Sequence, residues 1–337
     1  MYLICESFIK EKGENAMVIA GIDIGAHSLR LVLPHEGLVF EEPALGAFND
    51  KNEILAIGHK ALELKGKNEK IKVLAPIHEG TVDLPVLEAI LDELCYEFRL
   101  FRMFQKTILL VSYPTVLSDD MIDRLKDAFM ALGANAIYFD QEIWISAIGS
   151  GLDLFLPVSS CVLNVGFSNC DIALFHQGSM EARWSSRLHN GEKAAELVSR
   201  WLERKENMEV SPSTIDLLVQ KMGTVKLTRQ PEAIKIRGID LNSQALRELV
   251  INENDMAAIL APLARELGQW VSQFLESLDE QHRNDIKDRG IIASGGTMKI
   301  KGLAETLQTL ADCPVYVTDE PDHTAARGLE ALLASLF

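Results

Sequence analysis

The residues best placed to do chemistry are short polar side chains beside glycine turns, and they occur twice. Asp23 closes the apolar run Val18-Ile19-Ala20-Gly21-Ile22-Asp23-Ile24-Gly25, which reads as a buried strand ending in a turn, with a second strand at 29–33. The same order returns as Cys161-Val162-Leu163-Asn164-Val165-Gly166, a turn through Phe167-Ser168-Asn169, and a strand at 171–175. Asp23 and Gly25 precede Asn164 and Gly166 by 141 positions each. Two hairpins in phase and far apart predict a duplicated domain. Glycine turns can present backbone N–H groups to a phosphate, and two such turns can clamp one nucleotide. Mg²⁺ takes oxygen ligands and keeps several waters, so Asp23 at a hairpin tip could hold it through its hydration shell. An ordinary turn aspartate is the alternative.

The elements around these hairpins alternate. Helical spacing marks 84–94, followed by a strand at 107–112 closed by Tyr113-Pro114 and a helix at 118–132 stopped by Gly133. A strand at 136–139 leads through Asp140, read as an N-cap, into a helix ending near Gly149. Farther on come helices at 192–205, 213–221 and 255–278, a strand at 290–294, the turn Gly295-Gly296, a helix at 302–310, a strand at 315–317 and a terminal helix. This alternation is an α/β pattern. No low-complexity linker separates the halves.

Composition narrows the function classes. The 337 residues suit about two domains. Against 33 Lys+Arg stand 49 Asp+Glu, a formal charge of -16 that repels a phosphate backbone, so no nucleic-acid partner is expected. Cys5, Cys95, Cys161, Cys170 and Cys313 show no metal-ligand spacing and fit a reducing cytoplasm. Residues 1–16 are too acidic for a secretory signal; they read as a tail or a short amphipathic anchor.

In order along nearly the whole chain, the sequence resembles the MreB branch of the actin, sugar kinase and heat-shock chaperone superfamily. Gly21-Ile22-Asp23-Ile24-Gly25-Ala26-His27-Ser28 is similar to that family's first phosphate loop, and Glu41-Glu42-Pro43 to its Asn-Glu-Pro. Gln141-Glu142 with Ala147-Ile148-Gly149-Ser150-Gly151-Leu152 resembles the segment whose second glutamate orients the attacking water, which falls on Glu142; an exposed or capping glutamate is the plain alternative. Asn190-Gly191-Glu192 stands where the family has Gly-Gly-Asp, and Arg289 to Gly296, continuing into Thr297, resembles its adenosine loop. The resemblance implies an actin-like ATPase fold: two duplicated ribonuclease H-like domains around a nucleotide cleft. They would span 17–152, with an insert at about 34–72, and 153–337, with an insert at about 189–255. It implies ATP and Mg²⁺ as cofactors and self-assembly into filaments at the inner face of the cell membrane, with envelope-synthesis or cell-shape proteins as further partners.

Departures from the pattern concentrate in the second loop. The family's Asp-Ile-Gly-Gly-Gly-Thr-Thr-Asp is here Asn164-Val165-Gly166-Phe167-Ser168-Asn169-Cys170-Asp171, and Ala26 replaces a threonine in the first loop. Both phosphate and metal handling should weaken, so the expectation is weak ATP binding and slow turnover, or a filament-regulating paralogue. Leu100-Phe101, within the apolar and cationic stretch 98–106, matches the family's membrane-inserting pair; a helix end packed into the core is the alternative. Two further readings are a small-molecule kinase of the same superfamily and a nucleotide-independent scaffold.

Overall fold

A computed structural model describes residues 17–78, 81–101 and 105–336. The tail or anchor at 1–16 and residues 102–104 of the apolar, cationic stretch lie outside the described residues. The chain divides into two compact units, one of residues up to Asp153 together with those from His323 onward, the other Leu154–Asp322.

The central sheet of the first unit contains β1 (Met17–Ile24), β2 (Ser28–Leu33), β3 (Gly37–Pro43), β4 (Lys106–Tyr113) and β5 (Ala136–Gln141), in the order β5-β4-β1-β2-β3. That of the second contains β6 (Ser160–Val165), β7 (Cys170–His176), β8 (Ser179–Ser186), β9 (Ile291–Ser294) and β10 (Val315–Val317), in the order β10-β9-β6-β7-β8. In each, three strands form an antiparallel meander and the next two join in parallel. The topology repeats strand for strand. β3 opens inside the stretch expected to be an insert and pairs instead with β2 as an edge strand.

Helices cover the sheets: α1 (Leu84–Glu97), α2 (Asp119–Leu132) and α3 (Glu142–Gly149) in the first unit, then α4 (Gly191–Lys205), α5 (Glu253–Ser277), α6 (Glu280–Arg289) and α7 (Leu303–Ala311) in the second, and finally α8 (Thr324–Leu336). The two faces of β1 bury different sets of residues, because side chains alternate along a strand. Ala20, Ile22 and Ile24 join the core that contains the apolar stripe of α1, whereas Ile19 joins Val32, Ile108 and Leu110 against Ala325, Ala326, Leu329 and Leu333 of α8.

That second contact corrects the expected boundary: residues 323–337, counted with the second domain, pack in the first unit. The apolar stripe of α8 covers a sheet face that would otherwise meet water. The approach is close. A Cβ on Gly149 of α3 would lie 1.9 Å from the Thr324 carbonyl oxygen, and one on Gly328 of α8 2.0 Å from that of Ile145.

Small three-stranded sheets decorate each unit. One pairs Gly46–Phe48 with Ile54–Ile57 and Lys72–Leu74; the other pairs Ala233–Asp240 with Met208–Glu209 and Leu246–Asn252. No helix among the described residues is long and apolar enough to cross a membrane.

Gly149→Ala therefore forces two helix backbones apart and should cost about 3 kcal/mol. Gly66→Ala, with φ +75° but nothing within 4 Å of the added carbon, should cost only ~1 kcal/mol. Thermal denaturation of the two variants checks the ranking, and equal losses would refute the backbone contact.

Candidate functional site

The two hairpin turns close in the same way. The Gly25 N–H donates to the Ser28 carbonyl at 3.1 Å, and the Gly166 N–H to the Asn169 carbonyl at 2.9 Å. A Cβ on Gly25 would stand 2.6 Å from the Ser28 oxygen and one on Gly166 3.2 Å from the Asn169 oxygen, so glycine is needed for the turn itself. The N–H groups of both glycines are thus spent inside the hairpins.

Asp23 sits in a polar row that crosses the whole first sheet. Register places Asp140 of β5 beside Ser112 of β4, Ser112 beside Asp23 of β1, Asp23 beside Arg30 of β2, and Arg30 beside Glu41 of β3. Side chains in register share a face. Arg30 donates to Asp23 Oδ2 at 3.1 Å and to Glu41 Oε1 at 2.9 Å, and His323 Nε2 lies 3.0 Å from Glu41. Asp23 is 2% exposed. Burial works against the Arg30 charge, yet Asp23 and Glu41 hold its pKa above the ordinary arginine value.

One oxygen of Asp23, Oδ1, is buried without a hydrogen-bond partner, as is Ser112 Oγ on the adjoining strand. Such atoms are costly unless something meets them. They fit a polar ligand or a hydrated cation at the end of β1, although the carboxylate already shares its charge with Arg30.

Asp140 was expected to cap α3. It ends the strand instead: Gln141 occupies the N-cap without a side-chain bond, and Asp140 Oδ1 accepts from the Gln141 N–H at 2.8 Å. Burial pushes the Asp140 carboxyl up to about 6. Glu142, two residues on, opens α3 in its first turn and is half-buried.

In the second unit the expected residues gather around one loop. The Gly166 carbonyl accepts from the Gly191 N–H at 3.0 Å and from Thr297 Oγ1 at 2.9 Å, and the Phe167 carbonyl accepts from the Glu192 N–H at 2.8 Å. Asn190 caps α4 by accepting from the Lys193 N–H, and its amide donates to the Ser168 and Arg187 carbonyls. Asn190 thus positions the loop and has no donor left over. Gly295, at φ +92°, tolerates no Cβ because Val165 O would be 2.3 Å away, while Gly296 beside it is exposed. Phe167 Cδ2 would be 3.2 Å from a Cβ on Gly191, so the ring lies against the first residue of α4. Asn164 Nδ2 and Ser168 Oγ are buried without partners, while Asn164 Oδ1 accepts from Ser294.

At the position equivalent to Arg30 stands Asp171, wholly buried and accepting from the Asn169 side-chain amide and the Ser185 hydroxyl. The repeats therefore carry opposite charges at matched places. Sequence reasoning missed Arg30, Ser112 and Glu41; a charged residue inside Leu29-Arg30-Leu31-Val32-Leu33 was the available signal. The expected membrane pair also needs correcting. Leu100 is 2% exposed and belongs to the core of the first unit, with Phe101 half-buried against that core. The tight turn that ends α1 points the leucine inward.

Two duplicated sheets of this topology, each ending a hairpin beside buried polar atoms, define an actin-like ATPase fold. The MreB5 protein of Spiroplasma citri, solved bound to ADP, superposes with a TM-score of 0.87 at 20% identity, over 95% of this chain and 97% of that one. A MamK double helical filament structure gives 0.76 at 14% identity, over 94% of this chain and 99% of that one. In sequence, the cell shape-determining protein Mbl of Bacillus subtilis is 27% identical over 320 residues, 94% of this chain and 96% of Mbl. MreB of Escherichia coli K12 is 22% identical over 315 residues, 91% of this chain and 90% of the relative. The MreB/Mbl family model matches residues 17–336, and the chain belongs to that family of actin-like, cell shape-determining cytoskeletal proteins.

Removing Arg30 while Asp23 stays leaves a buried charge uncompensated. Arg30→Met should cost ~3–5 kcal/mol in urea unfolding, with most of it recovered in the double variant with Asp23→Asn; additive losses would contradict the pairing. Asp140 gives a pH test. Between the ordinary carboxylate value and about 6, the unfolded chain ionises this group while the folded chain keeps it protonated. Its contribution to stability therefore falls as pH rises through that window and is level above it. Asp140→Asn should melt with the parent at pH 4 and above it at pH 8, by ~2–4 °C for each kcal/mol recovered. Coincident melting at pH 8 would count against the buried carboxyl.

Proposed function

We propose that the chain binds ATP through its two hairpin turns and assembles into filaments that help to set cell shape or organise the envelope, with slow hydrolysis or none. The observation that carries this reading is the repeated hairpin with unpartnered polar atoms at both copies: Asp23 Oδ1 and Ser112 Oγ in one unit, Asn164 Nδ2 and Ser168 Oγ in the other.

Asp23 Oδ1 and Ser112 are the groups that would face the hydrated Mg²⁺, and the ion would supply charge neutralisation of the phosphates. Ala26, His27 and Ser28 would meet the phosphates on the first side, and Phe167 and Ser168 on the second. Gly295, Gly296 and Thr297 would border the nucleoside. Glu142, opening α3, would orient water. Three features argue for weak turnover: Arg30 shares the Asp23 carboxylate, Asn164 brings no charge, and the Phe167 ring lies against α4 where a phosphate would need backbone.

The same Phe167 and Arg30 favour a second reading, a scaffold or filament-regulating paralogue whose assembly needs no nucleotide. We place this protein at the cytoplasmic membrane face. Lipid contact would come from the end of α1, where Tyr96 is 79% exposed beside exposed Arg99, and not from Leu100.

Negative-stain microscopy with and without ATP separates these readings. Filaments that need ATP, together with weak binding in calorimetry and slow phosphate release, are the expected result. Filaments indifferent to nucleotide favour the scaffold, and tight Mg²⁺-dependent binding with brisk phosphate release would refute slow turnover.

A further inference from the structure

At the end of β7 opposite to its hairpin, His176 meets two residues of α6, His282 and Asp285, one helical turn apart. One ligand atom from each lies within 4.8 Å of the others. All three are half-buried, and Ser159, wholly buried, sits among them just before β6.

The hydrogen bonds show which atoms converge. Ser159 Oγ is 2.7 Å from His282 Nδ1 and 3.5 Å from His176 Nδ1, and the Ser159 N–H donates to Asp285 Oδ2 at 2.9 Å. That amide fixes the Asp285 carboxylate beside the two rings. On the far side of its ring, His282 Nε2 lies 3.4 Å from Asp279 Oδ2. A carboxylate beside the far ring nitrogen is the arrangement that orients a metal-binding histidine. The two rings meet edge to face with centroids 5.2 Å apart.

The Ser159 hydroxyl can bridge the two imidazole nitrogens, donating to one and accepting from the other. A divalent cation placed among the same atoms would instead take one lone pair from each ring and one from the carboxylate. Zinc–nitrogen bonds of ~2.1 Å in a tetrahedron bring ligand atoms to roughly 3.4 Å apart, a contraction of about 1.4 Å that rotation of the imidazoles can supply.

We propose that His176, His282 and Asp285 bind a divalent transition ion of borderline softness, zinc by its ligand preference, with Asp279 orienting His282 and water completing the shell. The ion ties α6 to the end of β7, joining residues 176, 282 and 285 across the core of the second unit. The centre lies about 20 Å along β7 from the hairpin turn, six residues at ~3.3 Å each, so it is separate from the proposed nucleotide residues.

The test uses untagged full-length protein stripped with chelator and titrated with Co²⁺, then with competing Zn²⁺. One equivalent of Co²⁺ should give visible d–d bands that Zn²⁺ abolishes, and Zn²⁺ should raise the melting temperature. His176→Gln, which gives up a long contact of 3.5 Å to Ser159, should keep the far-ultraviolet circular dichroism of the parent and lose the bands. Asp279→Asn keeps an N-cap side chain for α6 and should weaken binding ~10–100-fold. Absent bands, a thiolate charge-transfer band, or bands surviving in a folded His176→Gln variant would overturn the proposal.

Discussion

A carboxylate buried at the end of a parallel strand has to be met by something, and in this protein much of the first unit is organised around that need. Asp23 faces away from the α1 core, on the side of the sheet that α8 covers. Lower on that face Ile19, Val32, Ile108 and Leu110 form a dry layer with α8. Where the layer ends, register aligns Asp140, Ser112, Asp23, Arg30 and Glu41, so the strands carry polar groups there rather than more apolar bulk, with opposite charges paired along Asp23, Arg30 and Glu41. Arg30 neutralises half of the Asp23 carboxylate from within the fold, and Glu41 and His323 extend the pairing to the first residue of the C-terminal segment.

The second unit repeats the architecture and inverts the chemistry. Its hairpin closes with the same glycine-to-carbonyl bond, but Asn164 replaces Asp23 and Asp171 replaces Arg30. Its loop is held from behind by Gly191, Glu192, Asn190 and Thr297, which spend their donors on the loop carbonyls. Rigid support of this kind preorganises a backbone turn at low cost on binding. It also leaves Phe167 to fill space beside α4. The two frames are alike in topology and differ in the charges they bury at matched places.

Much of this was legible in the linear sequence where the signal was local. The two hairpins, the helices at 84–97 and 253–277 and the glycine turn at 295–296 follow from apolar periodicity and from glycines that no other residue can replace. The strand Ser179–Ser186 went unread, although Met180, Ala182 and Trp184 alternate with Glu181 and Arg183 at the strand period. Asp140 looked like a cap because a short acid before a helix usually is one; pairing with the neighbouring strand carried β5 two residues farther than its apolar run, to Gln141.

Tertiary structure alone decided the rest. The sequence determined that one motif occurs twice, that each copy needs glycine at its turn, and that the chain is acidic. It could not state that Arg30 faces Asp23, that Leu100 turns inward, that α8 closes the first unit, or that His176 meets His282 and Asp285. Each of these depends on the register of strands or the approach of helices separated by many residues, and no single segment encodes the partner that will lie beside it.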